Sequence, residues 1–191
     1  MIKRCDWCGV DPLYVEYHDK EWGIPIHNDK KLFEFLILEG AQAGLNWLVI
    51  LKKRAAYSKV FDGFNFEKIA LYDHTKIKRL QVDTGIVRNK LKIESAVLNA
   101  KAFIKVRKEF QTFNNYIWHF IKEEPLQNCW QHIKEVPTET DLSTIISKDL
   151  RKRGFNFVGP KIIYAYMQAI GMVNDHLISC FRYNEIHNMT D

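Results

Sequence analysis

The sequence predicts an all-α fold that forms a single unit over residues 1–191, with one or two helical lobes. Apolar residues recur with the 3.6-residue period of amphipathic helices from Lys30 to Cys180, and no segment shows the alternation of a half-buried strand. No stretch rich in glycine, proline or serine separates domains as a linker would. We therefore expect helices that share one core, with the N-terminal segment packed on the C-terminal helix.

The periodic segments define nine candidate helices. Asp29 and Asn46 are placed to cap the first two, because short polar side chains accept hydrogen bonds from the free N–H groups of a first helical turn. Gly44 separates these two helices, and Pro160 suits a first turn, where its missing N–H costs nothing. The predicted helices are, in order, 30–43, 46–58, 66–71, 74–83, 88–106, 113–121, 142–153, 160–170 and 174–182.

Composition limits the class of protein. The chain has 191 residues, 47% hydrophobic and 27% charged, which is enough to bury a core. No apolar run reaches the roughly 18 residues of a membrane span, and the start M-I-K-R-C-D-W-C lacks the apolar core of a signal peptide. We expect a cytoplasmic protein with no membrane partner. The net charge of +5 permits nucleic-acid binding without establishing it.

Two Cys/His pairs at opposite ends of the chain indicate a metal site. Thiolate and imidazole are ligands of tetrahedral zinc, and residues four apart on a helix share one face, as His176 and Cys180 would. With Cys5 and His18 they predict one structural Zn²⁺ per chain that joins the termini. Four protein ligands leave no position for an activated water, which argues against a zinc hydrolase. Cys8 is a rival ligand, and an ordinary buried thiol between unrelated polar ends is the plainer alternative.

A basic segment near residues 148–167 predicts a phosphate-binding turn. A helix that ends in basic residues, among them Arg153, leads into a tight turn bounded by Gly154 and Gly159. Glycine lets a backbone approach another molecule closely, and free N–H groups at a helix start favour an anion. Such a turn would bind the DNA backbone without reading its sequence. An ordinary helix connection with a solvated basic face is the alternative.

Aromatic residues are concentrated in the first fifty positions, and Glu39 lies between them in L-I-L-E-G-A-Q-A-G-L-N-W. A buried carboxyl in an apolar helix is costly unless it has a partner or a ligand. Aromatic faces are suitable walls for a flat base extruded from a duplex, and they attract a positively charged base more strongly. Core packing is the alternative for each ring, and a glutamate that caps a neighbouring loop is the alternative for Glu39. The aromatic residues are Trp7, Tyr14, Tyr17, Trp22 and Trp47.

Long motifs then make the chain similar to the 3-methyladenine DNA glycosylase I family, within the helix-hairpin-helix superfamily. The segment T-G-I-V-R-N-K-L-K-I, 84–93, also resembles a segment of that superfamily. The family motifs are D-P-L-Y-V-E-Y-H-D-K-E-W-G-I-P, L-E-G-A-Q-A-G-L-N-W, R-G-F-N-F-V-G-P and M-Q-A-I-G-M-V-N-D-H, which begin at residues 11, 38, 153 and 167.

The resemblance implies a helix-hairpin-helix DNA glycosylase-like bundle whose termini are joined by zinc on Cys5, His18, His176 and Cys180. It implies a monofunctional base-excision repair enzyme that flips 3-methyladenine out of double-stranded alkylated DNA, hydrolyses its N-glycosidic bond and releases the free base. We expect a monomer. The implied base pocket comprises Tyr17, Glu39 and Trp47, with Trp7, Tyr14 and Trp22 as walls.

Within that resemblance we expect Trp47 to stack on the extruded base while an ionised Glu39 and Tyr17 form hydrogen bonds with it. Leu45 would act as a wedge in the stack with Gln42 alongside, although a core leucine that connects two helices is an equal alternative. Arg153, Gly154, Gly159 and Lys161 complete the residues that are expected to contact DNA.

The chain departs from the superfamily pattern at two places. Asn174 stands where many members carry a catalytic aspartate, and Asp175, one step along a helix, would point elsewhere. Lys161 stands where bifunctional members carry the lysine that forms a Schiff base. A bifunctional glycosylase/lyase that uses Lys161 therefore stays open, as does a zinc-stapled module that binds damaged DNA without catalysis.

Overall fold

The computed structural model describes residues 2–189, and its helices confirm the all-α prediction. A pair of two-residue parallel strands, which the sequence pattern did not predict, joins Leu126–Gln127 (β1) to Val173–Asn174 (β2). The α-helices are α1 Pro12–Lys20, α2 Asp29–Gln42, α3 Trp47–Val60, α4 Phe66–Ile69, α5 His74–Val82, α6 Lys90–Phe110, α7 Phe113–Trp118, α8 Asp141–Lys152, α9 Pro160–Ala169 and α10 Phe181–His187. Short 3-10 helices are Asp6–Cys8, Asp62–Phe64, His119–Ile121 and Ile133–Glu135.

Capping residues account for several helix starts. Asn46 caps α3, as predicted, since its side chain accepts from the Leu48 N–H. The Asp29 prediction is wrong by one residue, because the Asn28 side chain caps α2. Asp29 instead accepts hydrogen bonds from the first N–H groups of α7, at Phe113 and Asn114, and so ties the two helices together.

The helix predicted over 174–182 is wrong. Residues 173–174 form β2, a turn follows, and α10 begins only at Phe181. The side chain of Asn174 explains the change, because it accepts from the His176 N–H and donates to Gln127 and to the Tyr183 carbonyl. A polar side chain that bonds nearby backbone competes with the helix. Helix α1 is not among the predicted helices, although Asp11 caps it and Pro12 occupies its first turn.

Helix α2 lies at the centre of the fold and carries part of the site. Every residue from Leu32 to Ala41 is buried, and the helix packs against α3, α6, α7 and α9. A helix that is buried on all faces belongs to the core of its protein. Glu39 is therefore held in the interior by its own helix and not by a mobile loop.

The two ends of the described chain lie against each other. The Phe181 N–H donates to the Lys3 carbonyl at 3.0 Å, and the Leu177 N–H donates to Cys5 Sγ at 3.3 Å. Gly171, with φ of +75°, turns the chain after α9, where Ile26 N–H donates to the Ile170 carbonyl. None of the helices in residues 2–189 has the length and apolar character to cross a membrane.

Candidate active site and metal centre

Cys5, His18, His176 and Cys180 converge at one buried point. Their ligand atoms all lie within 4.8 Å of one another. Cys180 Sγ is 3.5 Å from His18 Nε2 and 3.6 Å from His176 Nδ1, and Cys5 Sγ is 3.6 Å from the same Nδ1. Zinc distances of about 2.3 Å to sulfur and about 2.0 Å to nitrogen, at tetrahedral angles, place these atoms about 3.5 Å apart. The donor set therefore fits one tetrahedral ion.

Further contacts fix the orientation of both imidazole rings. His18 Nδ1 lies 2.7 Å from Asp19 Oδ1, and that carboxylate is paired with Arg4 at 2.8 Å. His176 Nε2 lies 3.1 Å from the carbonyl oxygen of Trp22. Such partners select the ring nitrogen that faces a metal. The arrangement is that of a rigid ligand set with its outer hydrogen bonds already formed.

Cys8 does not belong to this set. Its thiol donates to the Cys5 carbonyl oxygen at 3.2 Å instead of pointing at the two histidines. The rival Cys5–Cys8 pair is therefore not brought together as a ligand pair. His176 and Cys180 do meet, although they lie in a turn and not on the helix that the sequence analysis assumed.

A cavity of about 210 Å³ lies beside this centre. All six residues of the predicted pocket line it, and the ring centroids of Tyr17 and Trp47 are 5.5 Å apart. Trp7 packs edge-on against Trp22 with centroids 4.8 Å apart, so the walls support one another. The lining residues are Trp7, Tyr14, Tyr17, Trp22, Glu39, Gln42, Trp47, Ile133, Val136, Ala165, Gln168 and Asp175.

Glu39 is the unusual group in the cavity. Its side chain is 3% exposed, and its Oε2 has no hydrogen-bond partner among the residues that the structure describes. Burial raises the pKa of Glu39 to about 8, so the free protein holds this carboxyl in its protonated form at neutral pH. The expectation of an ionised Glu39 concerns the complex with the methylated base, and it stays a prediction. Burial also keeps the pKa of Tyr17 well above its usual value, so the phenol remains a donor.

Two more polar atoms of the cavity residues lack partners within residues 2–189. These are the indole N–H groups of Trp7 and Trp47, both buried. Buried polar atoms are nearly always hydrogen-bonded in folded proteins, and exceptions need an explanation. Together with Glu39 they form a set of polar groups suited to a flat, nitrogen-rich ligand.

Asp175 is a site residue that the sequence analysis undervalued. It lies after β2 and lines the cavity, because the expected helix is absent. Its Oδ1 accepts from Asn128 and Trp130 and its Oδ2 from Tyr164 and Gln168, at 2.6–2.7 Å. Asp175 therefore connects the segment after β1 with helix α9. The break at Gly171 before V-N-D-H was the signal in the sequence that argued against a helix here.

The segment between β1 and α8 supplies a wall that no motif predicted. Ile133 and Val136 line the cavity from it, and Ile178 N–H donates to the Trp130 carbonyl at 3.0 Å. Its place over the site results from contacts between residues far apart in the chain. Periodicity within the segment carried no sign of them.

A second cavity, of about 390 Å³, adjoins the first. Glu39 and Gln42 line both cavities, while Leu45 and Lys161 line only the second. Leu45 is 42% exposed in the turn between α2 and α3. The structure thus brings the expected wedge residues and Lys161 to a groove continuous with the aromatic cavity.

The turn that follows the basic end of α8 lies between α8 and α9. Gly154 has φ of +95°, and Gly159 precedes Pro160 at the start of α9. Arg153 is paired with Glu109 at 2.7 Å and with Asp149 at 2.6 Å, so these two carboxylates largely neutralise its charge. The exposed basic groups at this turn are instead Arg151, Lys152 and Lys161.

Comparisons with known proteins find similarity to methyladenine glycosylases. A family model described as methyladenine glycosylase matches residues 7–183. DNA-3-methyladenine glycosylase 1 of Escherichia coli is 43% identical over 182 residues, which cover 95% of this chain and 97% of that protein.

Solved structures agree with these matches. A crystal structure of 3-methyladenine DNA glycosylase I superposes with a TM-score of 0.92 at 42% identity, covering 94% of this chain and 98% of the other. A variant of 3-methyladenine DNA glycosylase I, solved in complex with 3-methyladenine, gives a TM-score of 0.91 at 35% identity, covering 93% and 96%.

Proposed function

The chain belongs to the methyladenine glycosylase family, and from that premise we propose how its residues carry out the reaction. It is a DNA-3-methyladenine glycosylase, a hydrolase that breaks the N-glycosyl bond of 3-methyladenine in base-excision repair. The observation that carries the proposal is the aromatic cavity with the unpartnered carboxyl of Glu39 inside it. A module that only binds damaged DNA would have no use for this group.

The chemistry needs little acid catalysis. Methylation at N3 makes the base cationic in DNA, so the bond from C1′ to the base breaks with its electron pair moving to the base, which departs neutral. Water then adds to C1′ of the oxocarbenium-like sugar and loses a proton to solvent. The protein accelerates this step through contacts that are stronger with the oxocarbenium-like sugar and the departing base than with the methylated nucleotide before the bond breaks.

Three residues recognise the base in this proposal. Trp47 stacks on its face, while Glu39 and the Tyr17 phenol form hydrogen bonds with its edge. A cationic ligand beside a buried carboxyl favours the ionised form. Glu39 therefore gives up its proton when the methylated base enters, and a neutral adenine lacks this charge-assisted contact.

Extrusion of the base uses the turn between α2 and α3. Leu45 is exposed there, and we place it in the gap that the flipped nucleotide leaves, with Gln42 alongside. The backbone at Gly154 and Gly159, with Lys161, contacts phosphates of the double-stranded substrate. The protein acts as a monomer in this scheme.

One Zn²⁺ bound by Cys5, His18, His176 and Cys180 completes the proposal. The sulfur–nitrogen distances of 3.5–3.6 Å support it, as do the hydrogen bonds of both outer ring nitrogens. An ion with four protein ligands supplies structure and no reaction chemistry.

Release of free base tests the function directly. Purified protein is incubated with methylated duplex DNA, and the released bases are identified by chromatography. We expect 3-methyladenine from the wild-type protein, and a single-turnover rate lowered by on the order of 10²-fold in Glu39→Ala, because a cavity hydrogen bond to developing charge is lost. Duplex affinity should change far less. Equal single-turnover rates for the two proteins would contradict the role of Glu39.

Water, and not Lys161, attacks the sugar in this proposal. Borohydride should therefore trap no covalent protein–DNA adduct during turnover. An adduct that forms with the wild-type protein and is lost in Lys161→Ala would overturn the monofunctional mechanism and establish a lyase.

A further inference from the structure

Lys92 lies outside both cavities, yet its side chain reaches the end of α2. From α6, its Nζ donates to the Ala41 carbonyl at 2.8 Å and to the Ala43 carbonyl at 2.7 Å. The last carbonyls of a helix lack partners within the helix and lie at the negative end of its dipole. Lys92 thus supplies both the charge and the donors that this helix end requires.

These carbonyls belong to the turn that connects Glu39 to Trp47. Ala43 and Gly44, with φ of +75° at the glycine, reverse the chain, and the Leu45 N–H donates back to the Gln42 carbonyl at 2.6 Å. Asn46 then caps α3. Leu45 therefore stands at the tip of a short turn that Lys92 holds from the side of α6.

We propose that Lys92 is a positioning residue that braces the α2–α3 turn, so that Leu45 can enter the base stack without the turn giving way. The inference rests on the proposed wedge role of Leu45. A wedge displaces stacked bases only if its own backbone yields less than the duplex does. Two bonds from one ammonium provide that resistance, one to Ala41 in the last turn of α2 and one to Ala43 at its C-cap. The ammonium is partly buried, which lowers the pKa of Lys92.

The geometry separates this role from base recognition. Lys92 donates to backbone oxygens and does not line the base cavity, whose walls are the aromatic rings together with Ile133 and Val136. Removing the ammonium should therefore impair extrusion from a duplex while the affinity for free 3-methyladenine stays the same.

The test compares Lys92→Met with Lys101→Met, an exposed lysine of the same helix as the matched control. We expect Lys92→Met to lower the single-turnover excision rate on duplex DNA by about tenfold, with affinity for free 3-methyladenine within about twofold of wild type. Lys101→Met should match wild type in both. Lys92→Arg, which keeps a cation that can donate to both oxygens, should recover most of the duplex rate.

A double-mutant cycle with Leu45→Ala shows whether Lys92 acts through the wedge. In the Leu45→Ala background, Lys92→Met should cost less than about twofold, because the residue it positions is already gone. Independent, multiplicative effects would overturn the proposal. So would an equal loss of free-base affinity in Lys92→Met and in Lys92→Gln, which would make the lysine a support of the whole site. A wild-type protein that releases no 3-methyladenine would contradict the proposed function. An active enzyme in which Lys92 and Leu45 show no coupling would contradict only the role of Lys92.

Discussion

At the scale of single residues, the cavity holds two carboxyl groups in opposite environments. Glu39 is desolvated and its Oε2 is unpartnered among the described residues, whereas Asp175 accepts four hydrogen bonds from neutral donors. Different surroundings let two acids in one site take different roles. Here Asp175 joins the walls of the cavity through its hydrogen bonds, and Glu39 is the group that we propose responds to the ligand.

The raised pKa of Glu39 predicts how stability depends on pH. The folded protein keeps the proton up to pH about 8, whereas the unfolded chain loses it near pH 4.5. Between these values the folded state binds one more proton, so its stability falls as pH rises, with a slope on the order of 1 kcal/mol per pH unit. We expect Glu39→Gln to remove this slope in urea denaturation between pH 5 and pH 8.

Glu34, on the same helix, provides the matched control for that measurement. Although burial opposes it, Lys31 and Arg54 hold the pKa of Glu34 below its usual value, so this carboxylate is ionised in both states across the window. Glu34→Gln should therefore lower stability by an amount that does not change between pH 5 and pH 8. A wild-type slope that survives in Glu39→Gln would show that another group titrates.

Two glycines with positive φ should respond differently to alanine. A Cβ at Gly171 would lie 2.4 Å from Ile24 C and Pro25 N, whereas a Cβ at Gly154 has no described atom within 4 Å. Gly154→Ala should cost about 1–2 kcal/mol for the left-handed backbone alone. Gly171→Ala adds a clash with rigid backbone and should cost clearly more. Chemical denaturation of both variants measures the difference, and equal losses would show that the 24–25 segment moves aside freely.

At the scale of elements, Asp175 fastens the segment between β1 and α8 to α9. An asparagine at position 175 would place an amide NH2 group where one carboxylate oxygen now accepts. That group would face two donors, so the two hydrogen bonds to this oxygen would be lost. We expect Asp175→Asn to speed amide hydrogen exchange in residues 126–138 and to weaken the affinity for free 3-methyladenine, because Ile133 and Val136 no longer close the cavity.

Asn128→Ala is the graded control for Asp175→Asn, because it removes one of the four donors and leaves the carboxylate in place. It should give a smaller change in both measurements. Unchanged exchange in Asp175→Asn would mean that packing alone fixes the segment.

Elements whose apolar residues follow a helical pattern over many residues could be predicted from the sequence. Elements defined by contacts between distant parts of the chain could not. Helix α2 follows from its long apolar run, helix α6 follows from its buried stripe, and the cap at Asn46 follows from local chemistry. The segment 174–182 carries similar apolar residues, but Asn174 and Asp175 bond to residues far along the chain and stop the helix. His176 and Cys180 still come together with Cys5 and His18, because a tight turn also brings residues four apart together.

The residues of the candidate site fall into the same two groups, those that local sequence predicts and those that long-range contacts place. The aromatic residues and Glu39 could be found because they lie in motifs close together in sequence. The Ile133 and Val136 wall could not, since its place depends on bonds such as Asn128 to Asp175, 47 residues apart. The positive charge of Arg153 predicted a contact with DNA. In the fold this charge is paired with Glu109 on another helix, which the local sequence did not indicate.

At the scale of the whole molecule, the proposed zinc joins the termini and supports the base cavity. Trp22 belongs to both sites, since its carbonyl accepts from His176 and its ring lines the cavity. Loss of the metal should therefore weaken base binding as well as folding.

Metal analysis and thermal unfolding test the zinc proposal together. We expect about one Zn²⁺ per chain in the wild-type protein and none in Cys180→Ser, with a lower Tm on removal of the metal. Each kcal/mol lost should lower Tm by about 2–4 °C in a chain of this size. Cys8→Ser should keep its zinc, because the Cys8 thiol donates to backbone carbonyls and is not part of the four-residue cluster. Wild-type protein free of zinc, with a Tm that a chelator does not change, would rule the proposal out.

The meeting of residues from both ends has a consequence for synthesis. Cys5 and His176 are 171 positions apart, and the cavity draws Trp7 and Tyr17 from one end and Asp175 from the other. A ribosome makes the polypeptide from its first residue onward. The nascent enzyme thus remains without a finished pocket until the region of Asp175 has left the ribosome, long after Trp7 and Tyr17 have done so.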